Sequence, residues 1–273
     1  MSLGHQLDLF AATGTEAAST KSDWQPPPRL VLTELDDAAL IAAIPNIRLA
    51  DCCGIAEEAV RRGLTSAVPA FEALCRRFKG FGLTHTVPEQ VAAVQALAAL
   101  GGHEASAALV RILCDDVMQG PGLAEAVHTA AALGAQLPAE RGMALLRHAE
   151  PAVRAQACCC VPPHPFVVAI LVDLLGDLHP AVATAAACTL GHFGRHEARG
   201  ILTQLLREVP TADVIAAIVA IADADIIVQL GRIARTRPDL IEAVKAALED
   251  IDNPLADAVF ASLSSHAYDP DRR

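Results

Sequence analysis

Cys158, Cys159 and Cys160 stand in a row with His164 four positions further on, and these are the residue types that ligate soft metals. Their spacing argues against a zinc site. Zinc prefers cysteines two to four residues apart with a second pair elsewhere, and three consecutive helical side chains point about 100° apart. One helix therefore cannot aim all three at one ion. Packing is the expectation, because free cysteine is a good small core residue; a redox pair or soft-metal site is the alternative. Asp36-Asp37 and Asp115-Asp116 diverge on a helix in the same way and read as solvated charge. Neither a Walker-type phosphate loop nor a nucleophile elbow is present. The expectation is no catalytic residue, no metal, no cofactor and no enzymatic activity.

The elements that position these residues recur along the chain. Val87 to Leu113, Gly122 to His148, Glu150 to Leu175 and His179 to Leu206 each read as two helices around a break. The breaks fall at Gly101, Gly134, Pro165, Gly194 and Ala224, and subtraction spaces them by 33, 31, 29 and 30 residues. In the clearest unit Pro180 suits a first helical turn. Val182, Ala185, Ala186, Thr189, Leu190 and Phe193 follow at helical spacing, and Gly194 ends the helix. Weaker units flank these, from Ile47 to Lys79 with a turn near Gly63, and from Pro238 to His266 with a turn near Asn253-Pro254. Cys159 and Cys188 each lie eight residues past a helix-opening proline, Pro151 and Pro180, so they are candidates for neighbours across a stack.

Pro151-Ala152-Val153-Arg154, Pro180-Ala181-Val182 and the run from Ala187 to Gly194 carry a resemblance to the HEAT-repeat superfamily. It is closest in kind to the short bacterial repeats of phycobilisome-lyase type. The resemblance covers about Ile47 to His266. It implies an all-α fold, a right-handed α-α superhelix built as a solenoid of about seven HEAT-like helical pairs, each burying its apolar stripe against its neighbours. The repeat arginine stands only at Arg154; Ala183 replaces it in the next unit. The expected organisation is an irregular N-terminal arm at 1–32, rich in Ser, Thr, Ala and Pro, a solenoid at 33–266 and a tail at 267–273. Thr33 is the expected cap of a short helix reaching Ile44, with Asp36 near its positive end.

His103-Glu104 and His196-Glu197 invite comparison with deoxyhypusine hydroxylases, HEAT-like proteins that bind iron through His-Glu pairs. Here both pairs open the second helix of their units, and they lie 93 residues apart. At about 10 Å per helix layer they cannot share one metal, so they read as helix-start residues.

Gln6-Leu7-Asp8-Leu9-Phe10 resembles the pentapeptide by which bacterial DNA polymerases and repair proteins dock on the sliding clamp. The resemblance implies Leu9 and Phe10 in an apolar cleft and Gln6 fixing register, with the clamp as partner. The alternative is an amphipathic arm whose Leu7, Leu9 and Phe10 cover the first repeat.

Composition narrows the function further. The chain has 273 residues, is 53% apolar and only 3% aromatic, and has a formal net charge of −11. That field is wrong for DNA or RNA, and no direct nucleic-acid contact is expected. Between Arg61 and Lys79 five cations face the single acid Glu72 and read as a solvated basic helix face. Asp223 and Asp225 interrupt the longest apolar stretch, Val214 to Leu230, which reads as a buried helix pair and not a membrane span. Without a secretory signal ahead of the eight cysteines, a reducing cytoplasm is the expected setting. The function expected is a protein-interaction scaffold working through the concave face of the solenoid, with its protein partner unidentified. The alternatives are a clamp-tethered repair or replication accessory, and a lyase-like or other enzyme subunit.

Overall fold

A computed structural model describes residues 31–265. The chain divides between Val31 and Leu32, and the helical unit that begins there contains fifteen α-helices and no strand among the described residues. A short helix, α1 (Asp37–Ala43), precedes seven pairs: α2 (Cys52–Arg61) with α3 (Val68–Arg77), α4 (Pro88–Leu100) with α5 (Gly102–Cys114), α6 (Pro121–Ala132) with α7 (Ala139–Leu146), and α8 (Pro151–Cys158) with α9 (Pro165–Leu174). The series continues with α10 (Pro180–His192) and α11 (Arg199–Glu208), α12 (Ala212–Ile218) and α13 (Ala224–Thr236), and α14 (Ile241–Glu249) and α15 (Pro254–Ser265). The architecture is the all-α solenoid of stacked helical pairs that the repeats predict.

Punctuation in the sequence sets these helices. Proline opens α4, α6, α8, α9, α10 and α15, where its missing N–H would have no intrahelical partner. At Gly134 and Gly194 the backbone turns left-handed, with φ of 66° and 67°. In each turn the next residue's N–H closes on the helix: Ala135 donates to the Ala130 carbonyl and Arg195 to the Leu190 carbonyl, both at 2.9 Å. These are Schellman closures, and the glycine supplies the conformation that a Cβ would oppose. α13 starts on Asp223, whose Oδ1 accepts from the Ile226 N–H at 3.1 Å. The carboxylate that interrupts the longest apolar stretch is thus a helix cap between two buried helices. The cap of α1 differs from expectation. Asp36, not Thr33, accepts from the Ala39 N–H at 2.7 Å, while Thr33 lies in a 3-10 turn, Leu32–Glu34. The bend at Leu35 puts Thr33 out of reach of the first helical turn.

A single apolar core runs from Leu40 to Leu263 through every layer. Along it the two rows of helices pack differently. Each even-numbered helix from α2 to α14 packs directly on the next. In the odd-numbered row α3–α5, α7–α9 and α13–α15 do so, whereas α5–α7, α9–α11 and α11–α13 are not closely packed. A row of close neighbours thus lies beside a row of more widely spaced ones. Small residues permit the closeness. A Cβ at Gly191 in α10 would collide with the Ala217 carbonyl oxygen of α12.

Polar contacts tie successive layers together. Arg154 of α8 grips Asp177 through Nε and Nη2 at 2.9 and 3.0 Å, and its Nη1 donates to the His148 and Ala149 carbonyls at 2.8 and 2.9 Å. Near the N-terminal end Arg62 donates to Glu58, Asp37 and the Leu35 carbonyl. Glu72 accepts from both Arg76 and Arg111, and Lys79 donates to the Asp115 carbonyl. The cations from Arg61 to Lys79 are therefore not a free basic face. Glu58, Glu72, Asp37 and Asp115 neutralise Arg61, Arg62 and Arg76, and Arg77 donates to the Ile47 carbonyl. Glu58 is held down to about 2 by the hydrogen bonds from Arg61 and Arg62.

Candidate interaction groove on the even-numbered helices

Along its free face the close-packed even-numbered row presents much alanine. Two depressions of about 1030 and 560 Å³ run into one another across α6, α8, α10, α12 and α14, sharing His192, Asp213 and Ala216. Ala131, Ala132, Ala181, Ala185, Ala216, Ala220, Ala243 and Ala246 form much of the floor. Further along the same row, between α2 and α4, lies a smaller hollow of about 230 Å³ bordered by Cys53, Glu57, Gln95 and four alanines.

Polar side chains stand at intervals on this floor. His128 of α6 and Gln156 of α8 meet across the layers, Nδ1 to Oε1 at 3.1 Å, with the imidazole donating. Thr189 of α10 donates to the Cys158 carbonyl at 2.9 Å and to the Ala185 carbonyl at 3.0 Å, which fixes α10 against the end of α8. Thr184, Cys159 and Cys188 line the space beside it. Beyond them Asp213 opens α12 and Asp250 closes α14.

Charge is unevenly divided between the surfaces. The carboxylates of the three hollows are Glu57, Asp213 and Asp250, and no Lys or Arg lines any of them. Two depressions elsewhere on the described surface mix both charges: Arg199 and Arg207 with Glu208 along α11, and Arg147 and Arg154 with Asp173 and Asp177 between the α7–α8 and α9–α10 turns.

The cysteines fall as helical geometry requires. Cys158 and Cys160 are buried and Cys159 between them is exposed. The Cys158 Sγ contacts the Arg154 carbonyl and the Cys160 Sγ the Val127 carbonyl. Burial pushes the Cys158 thiol well up and the Cys160 thiol to about 12. Cys159 and Cys188 do border the same depression. Burial, with Asp213 and Cys159 adding to it, raises Cys188 to about 11, so neither geometry nor acidity favours a thiolate there. His164 lies instead at the start of α9, its ring 5.6 Å from Phe166. Among the described residues no three His, Cys, Asp or Glu side chains converge to hold a metal ion. His103 and Glu104 sit exposed in the first turn of α5, and His196 and Glu197 form the 3-10 turn before α11. The pentapeptide Gln6, Leu7, Asp8, Leu9 and Phe10 lies outside the described residues.

Reading the sequence alone misses the groove's polar residues. His128, Gln156, Thr184, His192, Asp213 and Asp250 come from five helices and belong to no short motif. A signal existed in α4, α6 and α10, alanine-rich helices whose buried residues fall on more than one face.

A family model for HEAT repeats matches residues 140–222, which span α7 to α12 and most of the groove. No curated protein matches the chain. No helix among the described residues is long and apolar enough to cross a membrane.

Proposed function

Because residues 140–222 are HEAT repeats and the same helical pairing continues on both sides of them, we propose that the chain is a protein-interaction scaffold. Its partner lies along the even-numbered helices, and it catalyses no reaction of its own. HEAT repeats generally serve as such scaffolds, and stacked repeats offer extended surfaces for partners. The observation that carries the reading is the continuous groove from α6 to α14, floored by small side chains and edged by separated polar groups. Such a floor lets a partner chain approach closely, and the polar groups give it register.

The test is selective obstruction. Ala216 is exposed in the middle of the groove and Gln204 is exposed on α11 in the other row. Ala216→Trp fills the groove and Gln204→Trp leaves it open. A partner captured from the native host by the wild-type chain is retained by Gln204→Trp and lost by Ala216→Trp. Retention by both variants, with both folded, removes the groove from the account.

A second reading rests on Gln6 to Phe10 as a sliding-clamp ligand that tethers the scaffold to replication or repair. The pentapeptide itself supports it, with Leu9 and Phe10 as apolar anchors. Calorimetry of purified clamp against wild type and a Leu9→Ala/Phe10→Ala variant tests it. No binding at tens of micromolar, about −6 kcal/mol, removes it.

A further inference from the structure

The charge of the groove indicates what kind of segment fits it. We infer that the even-row groove binds a cationic peptide segment of its protein partner, with Asp213 and Asp250 as the groups that select positive charge. This inference rests on the scaffold reading above and adds the chemistry of the occupant.

Two observations support it. Asp213 and Asp250 border the two joined depressions with no lysine or arginine beside them, and neither enters an ion pair among the described residues. The second observation is the floor. Alanine methyl groups are too short to fill the depressions, and they match the aliphatic stems of Lys and Arg, which lie along apolar surface while their charged ends reach outward. Asp213 on α12 and Asp250 at the end of α14 stand where such ends would arrive.

Dimensions agree with a segment and not a whole domain face. From α6 to α14 there are four helix-to-helix steps, roughly 40 Å at about 10 Å each. An extended chain covers that distance in about a dozen residues. Nucleic acid is the wrong occupant, because a phosphate chain would meet unpaired carboxylates and no cation. An acidic segment would be repelled in the same way.

The experiment uses two fluorescein-labelled twelve-residue probes, one alternating Arg and Ala and one alternating Glu and Ala. Anisotropy is read against the full-length chain at pH 8. Three proteins are compared: wild type, Asp213→Asn/Asp250→Asn, and Glu104→Gln/Glu140→Gln. The last removes the same charge from exposed positions on α5 and α7. The inference expects the cationic probe to bind wild type, to weaken at least about tenfold on the groove variant and less than about twofold on the control. It expects no binding of the acidic probe. Equal weakening on both variants means attraction to net charge alone and overturns the inference, as does failure of the cationic probe to bind. The scaffold reading fails separately, when Ala216→Trp leaves capture of the host partner unchanged. If capture is lost but the captured segment is neutral or acidic, only the charge inference falls.

Discussion

Arg154 and Asp177 lie 23 residues apart and meet in a two-pronged ion pair, their side chains 15% and 8% exposed. The same guanidinium also holds the His148 and Ala149 carbonyls, so one residue joins the turn that enters α8 to the turn that enters α10. Asp177 in turn accepts from the His179 N–H at 2.9 Å. Arg154 is thus an inter-repeat fastener, which explains why the one surviving repeat arginine stands where it does.

Removing Arg154 leaves a nearly buried carboxylate without its partner. Arg154→Ala is expected to lower stability by about 3 kcal/mol, the low end for breaking a buried pair. The Arg154 guanidinium holds the Asp177 carboxyl below its ordinary value against the opposing effect of burial, and the His179 N–H adds to the lowering. A carboxyl lowered in the folded state contributes fully above its unfolded value and loses that contribution as pH falls through the folded one. The difference between wild type and variant in denaturant melts is therefore large at pH 7 and shrinks below about pH 4. A pH-independent difference contradicts the ion-pair assignment.

Gly191 and Gly200 lie in adjacent helices of one repeat and predict opposite outcomes. A Cβ at Gly191 meets the Ala217 carbonyl and the Leu202 side chain, whereas one at Gly200 meets nothing within 4 Å. Gly191→Ala is expected to destabilise by about 1–3 kcal/mol through overpacking. Gly200→Ala is expected to stabilise by about 0.4–1 kcal/mol by restricting the unfolded chain. Thermal melts of the two variants should shift in opposite directions.

Leu190 is buried in the middle of the stack, on α10 between α8 and α12. Leu190→Ala should cost about 2–5 kcal/mol, as large-to-small core changes do. A loss under about 1 kcal/mol in denaturant melts would show that the site collapses around the smaller side chain.

Thiol reactivity should follow exposure and acidity. Cys53 and Cys159 are exposed, while Cys75, Cys158 and Cys160 are buried. Alkylation followed by peptide mapping should label the first pair and spare the other three in the folded chain. Cys188 is half-buried and raised to about 11. Its labelling rate should therefore keep rising with pH towards that value, because the thiolate is the reacting form. A rate that levels off near pH 8 contradicts the burial assigned to it.

The repeats were legible because their punctuation is local. Pro151 and Pro180 open helices, Gly134 and Gly194 end them, and hydrophobic spacing between fixes the stripe. Thr33 misled because any Ser, Thr or Asp near a helix start can cap it, and the bend at Leu35 decides in favour of Asp36. The basic run misled for a different reason. Asp115, which pairs with Arg76, lies 39 residues beyond it and Asp37 lies 25 residues before Arg62, so the partners that neutralise the run are invisible in a short window. The groove was illegible for the same cause. Asp213 and Asp250 look like ordinary surface acids until α12 and α14 are packed side by side, and His128 and Gln156 are related only by the stacking of α6 on α8.

The central claim is that a partner occupies the even-numbered face. A photo-crosslinking amino acid placed at Thr184, in the groove, and separately at Gln204, on the opposite row, addresses it directly. After irradiation in the presence of the host's proteins, the account predicts a discrete adduct from position 184, mapping to one arginine- or lysine-rich segment, and none from position 204. An adduct from 204 with none from 184 would contradict it.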